Sequence, residues 1–370
     1  MNATARAALR QVPPATGRIA GIELARSLAL IGMVAVHVTP AYAQGMAEQL
    51  YALPYGRASI LFVLLAGVGV SLLAASRSHT TAEVRLKLAW RAALLLPLGL
   101  VLQGLNHDVM VILQSYALLF SVGIVVIALS DRWLLILCGV SVVLGPLVYL
   151  GVRALSALPF GEPLQLGDPP LQILYGLLLS GPYPLITWAA PFLLGIWLGR
   201  RDLSSPLVRL DLIGIGATAA LLAWALANGL QALLGEPAGD DGWRQLIGGS
   251  AHSQMPLWLI GGAGTAALVL GAALSVTALL GRLLYPLVTM GQLTLTIYVA
   301  HLLALHIWPW AGRPDNLLQA VGIVLGFSAV AAIAAMGWRA LLPRGPLETL
   351  LNPPWLQPAN GGKARPAAGK

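Results

Sequence analysis

The 370-residue chain is poor in charge: only 10% of its residues are Asp, Glu, Lys or Arg, whereas 58% are hydrophobic. Water-soluble domains carry about 25% charged residues, so a soluble enzyme of this length is excluded. The single cysteine, Cys138, excludes an internal disulfide framework and a cysteine-ligated zinc site. The sequence has no G-x-x-x-x-G-K-[ST] stretch, which argues against a P-loop ATPase.

Long apolar runs fill the chain instead, and they indicate an all-α, polytopic membrane helix bundle. A bilayer core of about 30 Å needs about 20 apolar residues per helix. The apolar stretch 170–182 is shorter than that and predicts a re-entrant or interfacial helix. About ten transmembrane helices are predicted, at 20–42, 57–76, 85–105, 109–130, 132–152, 184–200, 208–234, 255–280, 285–309 and 317–342.

The positive charges are distributed unevenly between the predicted loops, and this predicts an orientation. If the N-terminus is cytoplasmic, 17 of the 22 Lys and Arg residues lie in cytoplasmic segments or adjoining helix ends. Arg57, Arg153, Arg244 and Arg313 lie outside, and Arg26 lies within the first span. Cytoplasmic loops of membrane proteins are enriched in Lys and Arg, so both termini are expected in the cytoplasm (N-in/C-in) of a plasma-membrane protein. Charge scattered over many loops argues against nucleic-acid binding.

One transmembrane domain is predicted between two polar ends. Residues 1–17 and 352–370 are rich in Pro, Gly and Ala with scattered charge, a composition that does not form a packed core. They are predicted to be disordered cytoplasmic segments. Residues 18–351 are predicted to form the transmembrane domain.

The N-terminal region has a second interpretation, as a secretory signal peptide. Arg-rich residues 1–18, the apolar run that follows and the A-x-A at 41–43 have that pattern. Glu23 and Arg26 interrupt the apolar core that a signal peptide needs, so a retained first helix is favoured.

The first predicted span carries three ionisable residues, Glu23, Arg26 and His37. Such groups are costly inside a bilayer and suggest a functional site. Arg26 and His37 are eleven residues apart, so they lie on one helix face about 16 Å apart along the axis. Glu23 precedes Arg26 by three residues and can pair with it. The alternative is a structural one: an interfacial ion pair and a hydrogen-bonded packing histidine.

Polar residues of other predicted spans are further candidates. Arg57 opens the second span, Asp108 with His107 beside it lies at the start of the fourth, and His301 lies in the ninth. The structural alternatives are a snorkelling arginine for Arg57 and a helix-terminal charge for Asp108. A metal site built from His37 and His301 is disfavoured, since no carboxylate or third histidine has ligand spacing with them.

The first span, GRIAGIELARSLALIGMVAVH, contains Arg26, ten intervening residues and His37, and so resembles the R-x10-H signature of the transmembrane acyltransferase-3 family. The chain as a whole is similar to bacterial membrane proteins with a heparan-α-glucosaminide N-acetyltransferase-like catalytic domain. In the eukaryotic N-acetyltransferase an asparagine stands where His37 falls, so the acyltransferase-3 arrangement fits better. The resembling segments are YGRASILFVLLAGVGVSLL (55–73), DVMVILQSYALL (108–119), GPYPLITWAAPFLLGIWLGR (181–200), AHSQMPLWLIGGAG (251–264), MGQLTLTIYVAHLL (290–303) and RGPLETLL (344–351).

This resemblance implies a ten-helix bundle that passes an acyl group, usually acetyl, from cytoplasmic acyl-CoA to a hydroxyl or amine at the outer face. It implies that His37 is the catalytic base, a role that suits histidine, whose unperturbed pKa is about 6.5. Arg57 and His301 are the expected oxyanion donors. The residues expected to hold acyl-CoA are Arg26, Arg85, Lys87 and Arg91. The residues expected to contact the acceptor are Asp108, Tyr116 and His252.

Two other classes of function remain open. One is a proton-linked transporter or exporter of a small polar metabolite, with His37, Arg57 and His301 as its site. The other is a non-catalytic scaffold. Unwound spans around the site would favour a transporter, and a continuous first helix lining a tunnel would favour an acyltransferase. The acceptor (an envelope sugar, a lipid or a secreted metabolite), the acyl chain and the oligomeric state, with a homodimer among the options, also stay open.

Overall fold

A computed structural model describes residues 19–40, 45–76, 79–105, 107–156, 160–238 and 242–356 of the chain. Within these ranges the regular elements are helical and no strand occurs, as expected for an all-α bundle. The predicted disordered end 1–17 and the A-x-A at 41–43 lie outside the described residues, as does most of the predicted tail 352–370.

The long α-helices overlap the predicted apolar stretches, but the first ends at His37 rather than at 42, and the predicted span 285–309 is divided into two helices. The described α-helices are α1 Ala20–His37, α2 Met46–Tyr51, α3 Arg57–Ala75, α4 Thr81–Gln103, α5 Leu113–Val126, α6 Asp131–Leu155, α7 Pro170–Tyr175, α8 Leu185–Leu198, α9 Pro206–Leu234, α10 Pro256–Leu280, α11 Tyr285–Gln292, α12 Thr294–Ile307, α13 Leu317–Leu341 and α14 Pro346–Leu350. A π-helical turn covers Gly176–Ser180, and 3-10 turns cover Gly242–Ile247, Pro309–Gly312 and Pro354–Leu356.

Seven of the described helices are long and apolar enough to cross a bilayer: α1, α3, α4, α6, α9, α10 and α13. Among the described residues there are also two pairs of helices joined at a sharp bend, and the number of candidate spans rises to nine if each pair is counted as one span. In one pair α7 and the π-helical turn meet α8 at 60°, and in the other α11 meets α12 at 84°. The predicted span 109–130 contains α5, whose 14 residues extend about 21 Å. The described chain is therefore a multi-pass helical bundle, and a tenth span would require α5.

The short helix predicted at 170–182 is joined to α8 as a bent pair rather than standing alone. The backbone N–H of Gly181 still bonds to the Gly176 carbonyl oxygen at 2.8 Å, which closes the π-helical turn. Pro182 and Pro184 follow, and neither has a backbone N–H to donate. The helical hydrogen bonding therefore stops at this point and resumes in α8 in a new direction.

The helix α1 lies at the centre of the bundle. Of its residues, 67% are buried, and it contacts α3, α10, α11, α12 and α13. The helices α9 and α13 instead expose most of their length at the periphery. Because α1 is central, neighbouring helices can surround its three ionisable side chains, which would be costly if they faced lipid.

Part of the predicted tail packs against the helices. Trp355 lies in the last 3-10 turn, and its ring meets the Trp90 ring edge-on at a centroid distance of 5.0 Å. The side chain of Asn352 donates to the Glu348 carbonyl oxygen at 3.1 Å. The packed domain therefore reaches at least to 356, a few residues beyond the predicted boundary.

Glycine permits a close contact in the core between two helices, α3 and α8. A Cβ atom added to Gly195 would overlap the Leu64 carbonyl oxygen, and one added to Gly67 would overlap the Phe192 carbonyl oxygen. Small residues at such positions let two backbones approach within a membrane, where dispersion contacts hold helices together.

We expect Gly195→Ala to reduce the stability of the purified protein, since the added methyl group forces two backbones apart. Overpacking of a tight core costs about 1–3 kcal/mol. The matched control is Gly139→Ala on α6, because a Cβ atom there would meet no heavy atom within 4 Å. Thermal melts in detergent measure both variants, and equal melting temperatures would contradict the close α3–α8 contact.

Candidate functional site

Two cavities lie along one face of α1. The His37 cavity has a volume of about 560 Å³ and is lined by His37. The Arg26 cavity has a volume of about 440 Å³ and is lined by Arg26. Met33 lines both cavities. Because Arg26, Met33 and His37 share one helix face, they form a line from one cavity to the other.

Histidine side chains from two helices meet at the wall of the His37 cavity. His37, the last residue of α1, places its Nδ1 atom 3.0 Å from the Nε2 atom of His301 on α12. The two rings are almost parallel, with an interplanar angle of 5° and a centroid distance of 5.2 Å. The His301 side chain is buried, and its residue is only 2% exposed. The structure thus joins two of the three residues that sequence reasoning assigned to catalysis.

The surroundings of His301 indicate which nitrogen carries the proton. Its Nδ1 atom is buried without a hydrogen bond of normal geometry to a described residue. The acceptors that its own helix offers are the carbonyl oxygens of Ile297 and Tyr298. A protonated Nδ1 suits that environment, and it leaves the Nε2 lone pair of His301 to accept from His37 Nδ1–H. His37 Nε2 then carries a lone pair, and His37 lines the cavity.

The short segment between α4 and α5 adds a histidine, His107, to the lining of the His37 cavity. His107 Nδ1 accepts from the backbone N–H of Val109 at 3.2 Å, so the ring proton lies on Nε2. That Nε2 atom is buried without a partner among the described residues. Burial lowers the pKa of His107 from its ordinary value and favours the neutral ring. Asp108, one of the three residues predicted to contact the acceptor, lies at the exposed rim of this cavity, where it accepts from Arg313 Nε at 2.9 Å.

His252 lies in a strained loop before α10 and also lines the His37 cavity. His252 and Gln254 have φ angles of 60° and 66°, in the left-handed region that side chains rarely adopt. Backbone strain of this kind is often found at functional sites. Burial lowers the pKa of His252 to about 4, so the ring is neutral near pH 7. Its buried Nδ1 has no partner of normal geometry in the described chain.

Gln254 fixes this loop against α8. Its Oε1 atom accepts from Thr187 Oγ1 and from Trp188 Nε1, each at 2.9 Å, and its Nε2 atom donates to the Pro182 carbonyl oxygen at 3.1 Å. The His252 ring lies among aromatic rings, with centroid distances of 5.4 Å to Tyr55, 5.5 Å to Tyr183 and 5.9 Å to Trp188. The loop therefore presents a neutral imidazole and aromatic faces at one wall of the cavity.

The Arg26 cavity is strongly basic. Glu23 pairs with Arg26 at 3.0 Å, as their spacing predicts. Lys87 on α4 is buried, and its Nζ atom lies 2.7 Å from His79 Nε2. Among the described residues, the acidic residue that lines the Arg26 cavity is Glu348, and the basic ones are Arg26, His79, Lys87, Arg91 and Arg344.

Two residues assigned from sequence lie elsewhere. Arg85 is exposed and does not line the Arg26 cavity. Arg57 does not line the His37 cavity: its guanidinium carbon lies 5.7 Å above the Trp258 ring, in a third cavity beside α9 and α10. The expected oxyanion role of Arg57 therefore has no geometric support.

Two tyrosines occupy the Arg26 cavity. Tyr116, predicted to contact the acceptor, lines this cavity rather than the His37 cavity. Tyr298, which sequence reasoning missed, lines it too, and its ring meets the His301 ring edge-on at 4.9 Å. Both hydroxyl groups are buried without a partner of normal geometry among the described residues. Tyr298 precedes His301 by three residues, and this spacing was the available sequence signal.

The helix α12 begins directly at the bend beside the Arg26 cavity. A carboxylate from α14 accepts hydrogen bonds from donors in its first turn. Glu348 Oε1 accepts from the Thr296 backbone N–H at 3.0 Å, and its Oε2 atom accepts from Thr296 Oγ1 at 2.5 Å. A negative charge at a helix N-terminus is also favoured by the helix dipole. Glu348 therefore fixes the start of the helix that carries Tyr298 and His301.

We expect Glu348→Ala to lower the melting temperature, because it leaves an N-terminal turn without its acceptor. Loss of a helix cap costs about 0.5–2 kcal/mol. Glu348→Gln keeps one acceptor oxygen, so its melting temperature is expected to lie between those of the parent chain and Glu348→Ala. Glu162→Ala, in an exposed loop, is the control. Melting temperatures that do not separate Glu348→Ala from Glu162→Ala would contradict the capping role.

Neither a scan against protein-family models nor a search of curated proteins finds a match to this chain.

Proposed function

We propose that the chain is a membrane acyltransferase that moves an acyl group, acetyl in the first instance, from acyl-CoA to a hydroxyl or an amine. The observation that carries this proposal is the meeting of two chemically different cavities at Met33. One is basic and suits the anionic end of a donor. The other presents a histidine with a free lone pair and suits an acceptor that must lose a proton.

In this proposal the basic residues of the Arg26 cavity hold the phosphates of acyl-CoA. Arg and Lys are the side chains that bind phosphate most effectively, and burial strengthens the interaction. Lys87 and Arg91 lie on α4 one turn apart, opposite Arg26 on α1. The thioester end of the donor then extends toward Met33. Methionine is unbranched and adaptable, so its side chain can move aside for the acyl group.

The proposed reaction uses His37 Nε2 as a general base. It removes the proton from the acceptor hydroxyl or amine while the acceptor oxygen or nitrogen bonds to the thioester carbonyl carbon. The carbon–sulfur bond then breaks, and the proton passes from His37 to the departing CoA thiolate, which restores the neutral imidazole. His301 acts as a positioning residue, since its Nε2 lone pair holds His37 Nδ1–H and stabilises the imidazolium.

The buried hydroxyls of Tyr116 and Tyr298 are the proposed donors to the carbonyl oxygen as it becomes negative. Preorganised donors at that position stabilise the tetrahedral intermediate. His107 Nε2–H and His252 are proposed to orient the acceptor, because both rings line the His37 cavity and each has a buried nitrogen without a partner of normal geometry among the described residues.

The proposed topology has ten crossings, with the Arg26 end of the bundle and both termini in the cytoplasm of a plasma-membrane protein. The short helix α5 is the tenth crossing. Val109 and Met110 before it line the His37 cavity. After it, the carbonyl oxygens of Ile127 and Leu129 accept from Arg200 at 3.0 and 2.8 Å. These contacts support a course from one end of the bundle to the other.

Reporter fusions test this topology. A fusion after residue 370 is expected to report the cytoplasm, and an insertion in loop 235–254 is expected to report the opposite side, as the charge distribution requires. If both report the same side, the number of crossings is wrong.

Release of CoA thiol tests the proposed activity. The purified full-length chain in detergent is incubated with acetyl-CoA and a panel of sugars, lipids and small amines or alcohols, and free thiol is measured. At least one acceptor is expected to raise thiol release above the rate in its absence. No stimulation by any acceptor class, together with no effect of acetyl-CoA on the melting temperature, would contradict the proposal.

A transporter is the second candidate function, and the two bent pairs favour it. The chain bends by 60° before α8 and by 84° between α11 and α12. Broken helices are typical of transporter sites. The helix α1, however, is continuous from Ala20 to His37 and lines both cavities, as expected for an acyltransferase. Counterflow in proteoliposomes without acetyl-CoA, using the same panel of metabolites, would separate the two functions.

A further inference from the structure

A third cavity, of about 580 Å³, lies between α9, α10 and the first turn of α3. It shares no lining residue with the His37 cavity or the Arg26 cavity. Its wall on α9 is apolar and faces outward: Leu221 and Trp224 are 65% and 62% exposed. Since α9 is a peripheral apolar helix, this wall faces the lipid. Its polar lining residues include Arg57, Asn228, Gln231 and Glu236.

Arg57 supplies a cation to this cavity. One guanidinium nitrogen donates to the Leu53 carbonyl oxygen at 3.1 Å, and the guanidinium carbon lies 5.7 Å above the Trp258 ring. Arg57 makes no salt bridge with a described residue. It is also the first residue of α3, so the positive end of the helix dipole adds to its charge. The surroundings therefore favour an anion such as a phosphate.

Trp258 also lines this cavity, and its indole N–H lies buried behind the cavity wall. The residue is only 2% exposed, and its buried Nε1–H has no acceptor in the described part of the chain. Buried N–H groups are normally paired, so an acceptor supplied by a ligand would stabilise this site. A phosphate oxygen held by Arg57 is an acceptor of the required kind.

Glu236 places a negative charge in the same cavity, and it too makes no salt bridge with a described residue. An anion and a cation that have no counter-ion among the described residues of the cavity complement a zwitterion. We propose that this cavity binds the headgroup of phosphatidylethanolamine. The phosphate lies at Arg57 and Trp258 Nε1–H, the ammonium at Glu236, and the acyl chains follow Leu221 and Trp224 along α9. This site is independent of the proposed acyl transfer.

Lipid-dependent melting of the full-length chain tests the site. Protein purified in detergent is mixed with phosphatidylethanolamine, phosphatidylglycerol or phosphatidylcholine, and the melting temperature is recorded. A ligand that binds only the folded state raises the melting temperature. Phosphatidylethanolamine is expected to give the largest shift, because phosphatidylglycerol has no cation and phosphatidylcholine has no ammonium N–H for Glu236.

Variants assign the shift to this cavity. Arg57→Gln is expected to abolish the phosphatidylethanolamine shift, and Trp258→Phe, which keeps an aromatic ring but removes the N–H, to reduce it. Glu236→Gln is expected to remove the preference over phosphatidylglycerol. Arg313→Gln, an exposed arginine at the same end of the bundle, is the control and should keep the full shift.

Equal shifts with the three lipids, or an undiminished shift in Arg57→Gln, would overturn the proposal. If Arg57→Gln does not fold, the exposed Glu236→Gln decides: a lipid preference identical to that of the parent chain overturns the zwitterion assignment. Acyl transfer is not measured in this experiment, so its outcome does not depend on the activity of the chain.

Discussion

Replacing His37 by alanine is expected to reduce acyl transfer by about 10²–10⁴-fold, because it removes the general base. The expectation rests on the 3.0 Å contact between His37 Nδ1 and His301 Nε2, which leaves His37 Nε2 at the cavity with its lone pair. Binding of acyl-CoA should be nearly unchanged, since the basic residues of the Arg26 cavity are intact. Steady-state kinetics at saturating acetyl-CoA, with thermal melts as a test of folding, measure both effects.

Variants of His301 separate positioning from a packing role. His301→Leu removes the acceptor for His37 Nδ1–H, so His37 can take either tautomer, and turnover is expected to fall with an altered pH profile. His301→Gln offers a carbonyl oxygen in place of the ring nitrogen and is expected to recover part of the rate. If His301→Leu and His301→Gln lose activity equally and keep the parent pH profile, His301 only fills space. Near-normal turnover in His37→Ala would contradict the proposal that His37 is the general base.

Within α1, helical periodicity was sufficient to predict which ionisable residues lie on the same face. Arg26 and His37 lie on one face of α1 because eleven residues complete three turns, and the Glu23–Arg26 pair follows from a spacing of three. The pairing of His37 with His301 needed the structure, since the two residues belong to helices that are far apart in sequence. Both had been singled out as buried ionisable residues, but no spacing rule connects them.

Arg57 shows why depth in the membrane does not assign a residue to a site. It lies at the same end of the bundle as His37, since its neighbours Ala58 and Ser59 line the His37 cavity. Successive residues of a helix differ by about 100° in direction, however. Ala58 and Ser59 line the His37 cavity, whereas Arg57 faces α9 and α10. The direction is set by how α3 packs against its neighbours, and hydropathy carries no information about that.

The span boundaries show a similar limit. Hydropathy located most of the apolar helices, but it joined residues 109–112 to α5, whose helix begins only at Leu113. Gln103 holds the preceding segment in a non-helical form: its side chain donates to the Val109 carbonyl oxygen at 2.9 Å and accepts from the Val111 backbone N–H at 2.8 Å. Such a contact between a helix end and a loop depends on the fold, so a window of hydropathy does not detect it.

Removal of the Arg26 side chain is expected to weaken the binding of the acyl-CoA donor and to leave the rate of the chemical step nearly unchanged. A charge-assisted contact contributes about 1.5–3 kcal/mol, so the apparent acyl-CoA constant should rise by roughly 10- to 150-fold while turnover at saturation changes little. Arg26→Ala alone would also destabilise the fold, because it breaks the ion pair with Glu23, a residue that is only 3% exposed. The double variant Arg26→Gln/Glu23→Gln replaces both members of this ion pair by neutral side chains of similar size, so the remaining change in the acyl-CoA constant reports the loss of the cation.

Arg85→Gln is the matched control for this prediction, because Arg85 lies on α4 near Lys87 but faces away from the Arg26 cavity. Kinetics over a range of acetyl-CoA concentrations, and melting temperatures with and without acetyl-CoA, should separate the double variant from this control. If the donor is held by its phosphates, raising the salt concentration should weaken binding in the parent chain and have less effect in the double variant, since one cationic contact is already missing. An unchanged acyl-CoA constant in the double variant would show that Arg26 serves only its ion pair with Glu23, and the donor would then have to be held by Lys87 and Arg91 alone.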